Sequence, residues 1–432
     1  MKRNILIIGS GGREHAFVKA LKRSPNLGQL YVLPGNGGMN GEATAVDLRP
    51  NDFPAIIKFC KTAAIDVVLV GPEAPLVEGI ADELELEGIN VFGPSKKASQ
   101  LEGSKDFMKE VVWRYNVPTA EYKTFTDAGE AKKYIRIKGV PIVVKTDGLA
   151  AGKGVTVAMT VEEANRAVDE AFDGKFGDAG KKLVIEEFLD GEEISFFVIS
   201  DGKNVIEFGS AQDHKRAFDG DKGPNTGGMG TYSPAPIVND FLRKKTFEQI
   251  IIPTINGLAR DGIPFKGFLF AGLMVDGHGN PKLLEYNIRM GDPETQSILT
   301  RLESDFVEII YAAATGSLSK IKDVKFSSDS ALCVVMAAKG YPEEYKKNFE
   351  IDMSEAENSA EVKAGKAMVY HAGTALSSGK LTSIGGRVLG VTGRGATLKE
   401  AFDNAYSCVA KIRTPDLFFR KDIGWRELGR GK

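Results

Sequence analysis

The sequence predicts several domains, of α/β class at the N-terminus and of α+β class after it, and three observations support that prediction. The chain has 432 residues, which is too many for one core of ordinary size. Its first hundred residues alternate apolar strand-like runs with helix-like segments, the pattern of a doubly wound parallel sheet. From about Ser104 onwards short strands follow one another with few helices between them, and the last hundred residues form a third unit.

The elements of the N-terminal sheet are predicted from apolar runs and helical periods. A buried parallel strand is a continuous apolar run, and the first such run ends in glycine, as a strand entering a tight turn does. Strands are predicted at Asn4–Ile8, Leu30–Leu33, Asp66–Val70 and Asn90–Phe92, with helices at Arg13–Arg23, Phe53–Thr62 and Leu76–Glu87. Ligands of such sheets bind at the carboxyl ends of the strands, so the candidate site loops are Gly9–Gly12, Pro34–Gly38, Gly71–Pro75 and Gly93–Ser95.

The later elements are predicted from turns, caps and periodicity. Val140–Lys145 and Val155–Met159 flank a glycine-rich turn and are expected to pair as a hairpin, and Thr160 with Glu163 forms a capping box before the next helix. The remaining predictions are helices at Val161–Phe172, Asp240–Asp261 and Leu398–Ile412, and strands at Leu183–Phe188, Glu193–Ser200, Asn204–Phe208, Gly267–Val275, Pro281–Ile288, Ala331–Ala338 and Gly385–Thr392.

Charge and composition exclude several classes of protein. The 56 Lys and Arg residues balance 58 Asp and Glu residues, so no bulk field attracts nucleic acid or an anionic membrane. The three cysteines have no paired spacing, which argues against a disulfide framework and fits a reducing cytoplasm. Apolar stretches are too short for a membrane span or a signal sequence. We therefore expect a cytoplasmic protein, with a monomer as the default state.

The loop Gly9–Gly12 has the features of an anion site. A strand that runs into glycines and then into a helix directs free backbone N–H groups and the helix dipole at the turn. The dinucleotide fingerprint fails, because Glu14 stands at the third glycine position and the second strand ends in Pro34-Gly35-Asn36 without an acidic residue. A small phosphate ester suits this loop better than NAD, and a tight turn without a ligand is the alternative.

Lys145 ends an apolar strand just before the glycine-rich turn of the hairpin. A lysine that faces inward from a strand needs an anion nearby. The turn is not a Walker A loop, because three residues instead of four separate Gly148 from Gly152, and Gly154 replaces the Ser or Thr that would bind magnesium. We expect a flap around Gly148–Gly154 that closes over nucleotide phosphates, with a surface hairpin as the alternative.

The segment Pro281–Glu294 is the most informative in the chain. On a strand, the period of two places Glu285, Asn287 and Arg289 on one face. The other face is predicted to be apolar and buried, with Leu284, Tyr286 and Ile288. Magnesium prefers hard oxygen ligands and takes one or two from protein, so the first face indicates a metal site beside a guanidinium that could clamp a carboxylate. An amphipathic edge strand with salt bridges is the alternative.

Two further segments carry weaker signals. Acidic residues at a strand edge, such as Glu186 and Glu187, are usually solvated, although beside an ATP pocket they could contact adenine and ribose. The charged run Ala211–Arg216 precedes the glycine-rich loop Gly223–Gly230. Such a loop can close its N–H groups around a charged ligand, or it can simply be flexible.

Taken together, these motifs resemble the phosphoribosylamine–glycine ligase family of the ATP-grasp superfamily. The resemblance is carried by GSGGREH from Gly9, GPEAPL from Gly71, KTDGLAAGKGV from Lys145, EEFLDGEE from Glu186, QDHKR from Gln212, GPNTGGMG from Gly223 and LEYNIRMGDPE from Leu284. It implies an N-terminal domain at 1–103, an ATP-grasp domain at 104–325 with a lid at about 121–190, and a C-terminal domain at 326–432.

The resemblance also implies a reaction and a set of site residues. ATP would phosphorylate the carboxylate of glycine, and 5-phosphoribosylamine would attack the glycyl phosphate, a step of purine biosynthesis that releases ADP and phosphate. The implied nucleotide ligands are Lys105, Lys145, Glu186, Glu187, Leu189 and Glu193, and the implied Mg²⁺ or Mn²⁺ ligands are Glu285 and Asn287. The implied substrate ligands are Gly9, Ser10, Gly11, Gly12, Arg13, Glu73, Asp213, Lys215 and Arg289, with Lys145, Asp213 and Arg289 as the catalytic residues.

Three alternatives remain at this stage. Another ATP-grasp ligase, acting on formate or bicarbonate, would use the same phosphate chemistry. A nucleotide-binding sensor would bind ATP without turnover. An NAD-dependent dehydrogenase is disfavoured by Glu14 and by the missing acidic residue after the second strand.

Overall fold

The structure is a computed structural model that describes residues 1–148 and 154–430. Its N-terminal part is a parallel sheet flanked by helices. The strands are β1 (Arg3–Gly9), β2 (Leu27–Pro34), β3 (Thr44–Ala45), β4 (Val67–Val70) and β5 (Val91–Phe92), and the helices are α1 (Gly12–Leu21), α2 (Phe53–Thr62), α3 (Glu73–Glu78), α4 (Ile80–Leu86) and α5 (Gln100–Gly103). The strand order β3-β2-β1-β4-β5 confirms the predicted doubly wound sheet. Its order reverses between β1 and β4, so the loops after these two strands border a crevice.

The next part is a small antiparallel sheet with helices against it. It contains α6 (Lys105–Arg114), β6 (Tyr122–Phe125), α7 (Ala128–Lys138), β7 (Ile142–Thr146), β8 (Val155–Ala158), α8 (Val161–Glu170) and β9 (Leu183–Glu187), with strand order β6-β9-β7-β8. The predicted hairpin is confirmed, since Lys145 lies opposite Val155. The predicted capping box of Thr160 and Glu163 is also present. The flap predicted around Gly148–Gly154 has its tip, residues 149–153, outside the described residues.

A large sheet joins the middle and the end of the chain. The middle contributes β10 (Glu192–Asp201), β11 (Val205–Asp213), β12 (Arg216–Phe218), β13 (Lys222–Asn225), β14 (Gly230–Ser233), α9 (Asp240–Thr246), α10 (Ile252–Arg260), β15 (Lys266–Val275), β16 (Pro281–Asn287), α11 (Glu294–Arg301) and α12 (Phe306–Ala314). The end contributes β17 (Ser330–Ala338), α13 (Ser354–Glu357), α14 (Ala360–Lys363), β18 (Ala367–His371), β19 (Thr374–Ser377), β20 (Lys380–Ser383), β21 (Arg387–Gly395), α15 (Leu398–Val409), β22 (Leu417–Phe418) and α16 (Trp425–Gly429).

The order of the large sheet is β16-β15-β10-β11-β14-β17-β21-β18, with β22 paired to β17, while β12–β13 and β19–β20 form separate ribbons. The C-terminal strands therefore continue this large sheet, which we call the central sheet, through the pairing of Thr231 with Cys333. The predicted change from parallel to antiparallel pairing is confirmed. The sequence did not indicate the shared sheet, because pairing between strands a hundred residues apart leaves no local pattern.

The two faces of β1 join the N-terminal sheet to the rest of the molecule. Leu6 and Ile8 belong to one apolar core, which extends to residues of β10, β15 and β16. Ile5 and Ile7 belong to a second core, which includes Phe17 and Phe268. Because both cores cross from the first sheet to the second, the crevice beside β1 is held at a defined distance from the central sheet.

Two sequence predictions differ from the structure. The helix predicted at Leu76–Glu87 starts earlier and is broken at Gly79, which has a φ of +105° and separates α3 from α4. Leu284 is not on the buried face of β16, because a bulge lies between the pairs Leu273–Leu283 and Gly272–Glu285. That extra residue turns Leu284 towards the cavity described below. Within residues 1–148 and 154–430, no helix has the length and apolar character needed to cross a bilayer.

Candidate functional site

One cavity of about 1000 Å³ lies where the carboxyl edge of the N-terminal sheet faces the small sheet and the central sheet. It is lined by every residue that the sequence assigned to a site except Gly12: Gly9, Ser10, Gly11, Arg13, Glu73, Lys105, Lys145, Glu186, Glu187, Leu189, Glu193, Asp213, Lys215, Glu285, Asn287 and Arg289. Gly12 packs against the Gln296 side chain, because a Cβ at that position would lie 2.5 Å from Gln296 Nε2. The structure thus brings together residues from six of the seven motifs, and Lys105, which lies outside the motifs, joins them.

Buried lysines approach the cavity from α6 and β7. Lys105 begins α6, where burial lowers its pKa although nearby Glu285 opposes that shift. Lys145 ends β7, and its Nζ lies 2.8 Å from Glu186 Oε2. Lys109 was missed by the sequence analysis, yet its Nζ lies 3.2 Å from Glu186 Oε1. Its position one helical turn after Lys105, on the same face of α6, is the signal that could have indicated it.

The segment after β9 places its residues differently. The Glu186 carboxylate is buried between two lysines, so it does not face the solvent. Glu187 is exposed and pairs with Lys282 at 3.0 Å, and Leu189 lines the cavity at the turn into β10. Glu193 forms an ion pair with Lys215 across the cavity wall.

The metal candidates on β16 lie beside several cations. Burial alone would raise the pKa of Glu285, but Lys215, Lys145 and Lys105 outweigh it and lower that pKa, so the carboxylate is ionised at neutral pH. The Asn287 amide oxygen accepts a hydrogen bond of 3.1 Å from Arg289 Nη2 and keeps a second lone pair. Within the described ranges 1–148 and 154–430, no group of three or more His, Cys, Asp or Glu side chains could hold a metal. A cation at Glu285 and Asn287 would therefore need further ligands from a substrate or water.

Arg289 is already engaged by carboxylates. Its Nη2 lies 2.7 Å from Glu102 Oε1, and its Nε lies 3.3 Å from Glu73 Oε2. Burial would lower the pKa of Arg289, but Glu102 and Glu73 raise it above the ordinary value, so the guanidinium stays charged. Glu102, which the sequence analysis missed, is itself buried and accepts a hydrogen bond of 2.8 Å from the Ile288 N–H.

Asp213 and Glu294 form a buried pair of acids. Burial raises the pKa of each, and the repulsion from Glu294 raises that of Asp213 further. Asp213 Oδ1 accepts from the His214 N–H at 2.7 Å, and Glu294 Oε1 accepts from Ser195 Oγ at 3.0 Å. A cation nearby would favour the ionised form of both acids.

Two backbone donors of the N-terminal loop are occupied by carboxylates of the protein. The Gly11 N–H donates to Glu14 Oε2 at 2.6 Å, and the Arg13 N–H donates to Asp292 Oδ2 at 3.2 Å. Arg13 also lies 2.6 Å from Glu14 through its Nε. Carboxylates of the chain therefore sit at the positive end of the α1 dipole, where the sequence predicted an external anion. Glu14, three residues after the N-cap Gly11, accepts from the N-cap N–H, and an acid at this position is a local pattern that could have been recognised.

The C-terminal part of the chain supplies cavity residues that no motif indicated. Arg387 on β21 donates from Nη1 to the carbonyl of Gly227 at 2.6 Å and to that of Asp292. The Tyr341 hydroxyl accepts from the Gly227 N–H at 3.2 Å. The glycine-rich loop is thus held from the far side by residues more than a hundred positions away.

Comparison with known proteins gives a consistent result over the whole length. Family models described as phosphoribosylglycinamide synthetase match the chain as an N domain at residues 3–102, an ATP-grasp (A) domain at 103–295 and a C domain at 331–426. The chain is 53% identical over 429 residues to a phosphoribosylamine–glycine ligase of Agrobacterium fabrum, with 99% of each chain covered. It is 50% identical over 430 residues to the enzyme of that name from Escherichia coli O157:H7, again with 99% of each covered. The crystal structure of a phosphoribosylamine–glycine ligase from Thermotoga maritima superposes with a TM-score of 0.84 at 33% identity, covering 97% of this chain and 100% of that one.

Proposed function

The chain belongs to the phosphoribosylglycinamide synthetase family, also called phosphoribosylamine–glycine ligases, and from that premise we propose that it joins glycine to 5-phosphoribosylamine with ATP. The products are N-glycyl-5-phosphoribosylamine, ADP and phosphate, in purine biosynthesis. The observation that supports this assignment most strongly is the ionised Glu285 carboxylate in one cavity with Lys105, Lys145 and Lys215. That arrangement suits a triphosphate and a divalent cation meeting a small acid.

The chemistry proceeds in two displacements. A carboxylate oxygen of glycine attacks the γ-phosphorus of ATP, the bond to the β-phosphate oxygen breaks, and ADP leaves. The amine of 5-phosphoribosylamine then attacks the carbonyl carbon of glycyl phosphate, loses a proton and expels phosphate. The enzyme forms no covalent bond, so its contribution is positioning and charge neutralisation.

Nucleotide binding is assigned to the lysines and to the segment after β9. Lys105 and Lys145 neutralise phosphate charge, and Lys145 does so by exchanging the Glu186 carboxylate for a phosphate oxygen. We assign adenine to the stretch from Glu186 to Leu189, which includes Glu187, and a ribose hydroxyl to Glu193, since these residues line the same cavity as the lysines.

The metal is assigned to Glu285 and Asn287. An ionised carboxylate and an amide oxygen on one strand form a donor set that fits Mg²⁺ or Mn²⁺. Such a cation neutralises charge on phosphate oxygens when it is bound. Lys215, whose pKa is raised by Glu193 and Glu285 against the effect of burial, keeps its positive charge beside them.

The two organic substrates are assigned to the far side of the cavity. Asp213 orients the amino group of glycine or the attacking amine, since the buried acid pair favours a cation. Arg289 orients the glycine carboxylate from its place between Glu73 and Glu102. We assign the phosphoribosyl group to the loop Gly9–Arg13 and Glu73, and we assign Lys215 to substrate binding. We further propose a cytoplasmic monomer.

The test measures which substrates release ADP. We expect ADP and phosphate only when glycine and 5-phosphoribosylamine are both present; turnover with formate or bicarbonate instead would assign a different ligase. Glu285→Ala should abolish turnover, whereas Glu248→Ala, at a side chain that is 63% exposed, should not change it. AMP and pyrophosphate as products, or ATP binding without turnover in the wild-type protein, would refute the proposal.

A further inference from the structure

A ring of polar contacts lies behind the cavity wall, and it is completed by the peptide bond between Leu283 and Leu284. Lys109 Nζ donates to Thr119 Oγ1 at 2.8 Å, and Thr119 Oγ1 donates to the Leu283 carbonyl at 2.7 Å. Lys145 Nζ donates to the adjacent Leu284 carbonyl at 3.3 Å and lies 2.8 Å from Glu186 Oε2. The ring closes at Glu186 Oε1, which lies 3.2 Å from Lys109 Nζ, an ion pair without hydrogen-bond geometry. It connects α6, β7, β9 and the bulge of β16.

The members of the ring differ in their access to the cavity. Lys145, Glu186 and Leu284 line it, but Lys109 does not, and the Lys109 side chain is 0% exposed. Burying an ammonium group is unfavourable unless it is paired and hydrogen-bonded. Any effect of Lys109 on the cavity must therefore act through its partners Glu186 and Thr119. Two ammonium groups share one carboxylate, which leaves an excess positive charge at the cavity wall.

This excess charge indicates how Lys145 becomes available to a phosphate. If Glu186 had Lys145 as its only cation, the two would form a neutral buried pair, and separating them would leave an unpaired carboxylate. With Lys109 behind it, Glu186 keeps a cationic partner when Lys145 turns to another anion. The Thr119 contact also holds the Leu283 carbonyl, which lies on the other side of the bulge from Glu285.

We propose that Lys109 is a positioning residue for nucleotide binding, which holds Glu186 from behind so that Lys145 can exchange that carboxylate for a phosphate of ATP. This inference rests on the proposed assignment of Lys145 to ATP. It adds to the site a residue that contacts no substrate.

The test compares ATP affinities of matched variants by equilibrium titration with ATP and magnesium. Lys109→Met should raise the Kd for ATP about tenfold, because each factor of ten corresponds to about 1.4 kcal/mol, a modest share of one charged contact. Lys133→Met, at a side chain that is 68% exposed on α7, should leave it unchanged. The KM values for glycine and 5-phosphoribosylamine should stay the same in both variants.

A rescue experiment separates this role from a structural one. In Lys109→Met with Glu186→Gln, the carboxylate that traps Lys145 is gone, so ATP affinity should recover towards the wild-type value. If Lys109→Met does not fold, the same titration is made with Thr119→Val, which removes the hydrogen bond from Lys109 but keeps the side-chain shape. This variant should also raise the Kd for ATP. An unchanged Kd in a folded variant, or a lower kcat without a change in Kd, overturns the inference. Absence of ligation by the wild-type protein would refute the proposed function, whereas the ratio of Kd values would still decide the role of Lys109.

Discussion

Acid should destabilise the folded protein through His214, a buried residue next to Asp213. Its Nδ1–H donates to the Gly230 carbonyl at 3.0 Å, and its Nε2 accepts from the Gly424 N–H at 3.0 Å. The second bond requires the neutral ring, because a protonated Nε2 would face another donor. Burial lowers the pKa of His214 to about 4, and the positive charges of Arg420 and Arg426 add to that effect.

The magnitude follows from the difference between the folded and unfolded pKa values. Between pH 6.5 and pH 4 the unfolded chain binds a proton at His214 that the folded chain does not, so the free energy of unfolding falls as the pH falls through this window. The loss due to this residue is about 2 kcal/mol at pH 5 and about 3 kcal/mol below pH 4. A second buried histidine, His371, has a pKa lowered to about 3 by burial and adds to the acid sensitivity.

The assay is urea unfolding at several pH values, with His214→Asn compared with the wild-type protein. Asparagine keeps a donor near the Gly230 carbonyl but cannot be protonated, so the variant should be less stable at pH 7 and lose about 2 kcal/mol less on acidification to pH 5. The exposed His278 provides the control, since His278→Asn should have the wild-type slope. Parallel pH dependences of His214→Asn and the wild-type protein would refute the reasoning.

Two other predictions concern groups that hold the site in place. Glu102→Gln removes the charge that lies 2.7 Å from Arg289, so kcat/KM for glycine should fall about tenfold while ATP affinity stays unchanged; equal effects on both substrates would contradict the assignment of Arg289. Gly71→Ala would place a Cβ 1.9 Å from Glu14 Oε1 and should reduce the free energy of unfolding by about 2 kcal/mol. Gly277→Ala, with no neighbour within 4 Å of the added carbon, is its control in thermal denaturation, and a matching shift would argue against the steric cause.

Local patterns predicted most of the elements and many of the site residues. Lys145 and Glu285 could be identified because each depends on one strand: an inward lysine at a strand end, and an oxygen donor on the polar face of a period-two run. The prediction for Leu284 was wrong because the period of two assumes a regular strand. The bulge at Leu284 depends on the register with the neighbouring strand, about which the period gives no information.

The distant partners of some residues could not be predicted. The one-turn spacing from Lys105 could have indicated Lys109, but it gives no sign of its partner Glu186. Arg387 contacts Gly227, and that pairing is not visible along the chain. The shared sheet of the middle and C-terminal parts depends on the same kind of distant pairing. The sequence therefore predicted the candidate site residues better than it predicted the residues that hold them in position.

Three cations of the cavity share one electrostatic arrangement. Lys145 is paired with Glu186, Arg289 with Glu102, and Lys215 with a glutamate of β10. Because each of these three charges has an internal partner, the folded chain avoids the large penalty of an isolated ion. An incoming phosphate or carboxylate then replaces the internal carboxylate at each cation. The net binding free energy therefore comes from geometry and from additional hydrogen bonds rather than from neutralising a bare charge. This exchange predicts specificity for anions that fit several cations at once, as the triphosphate of ATP does, and weak binding of a single inorganic phosphate.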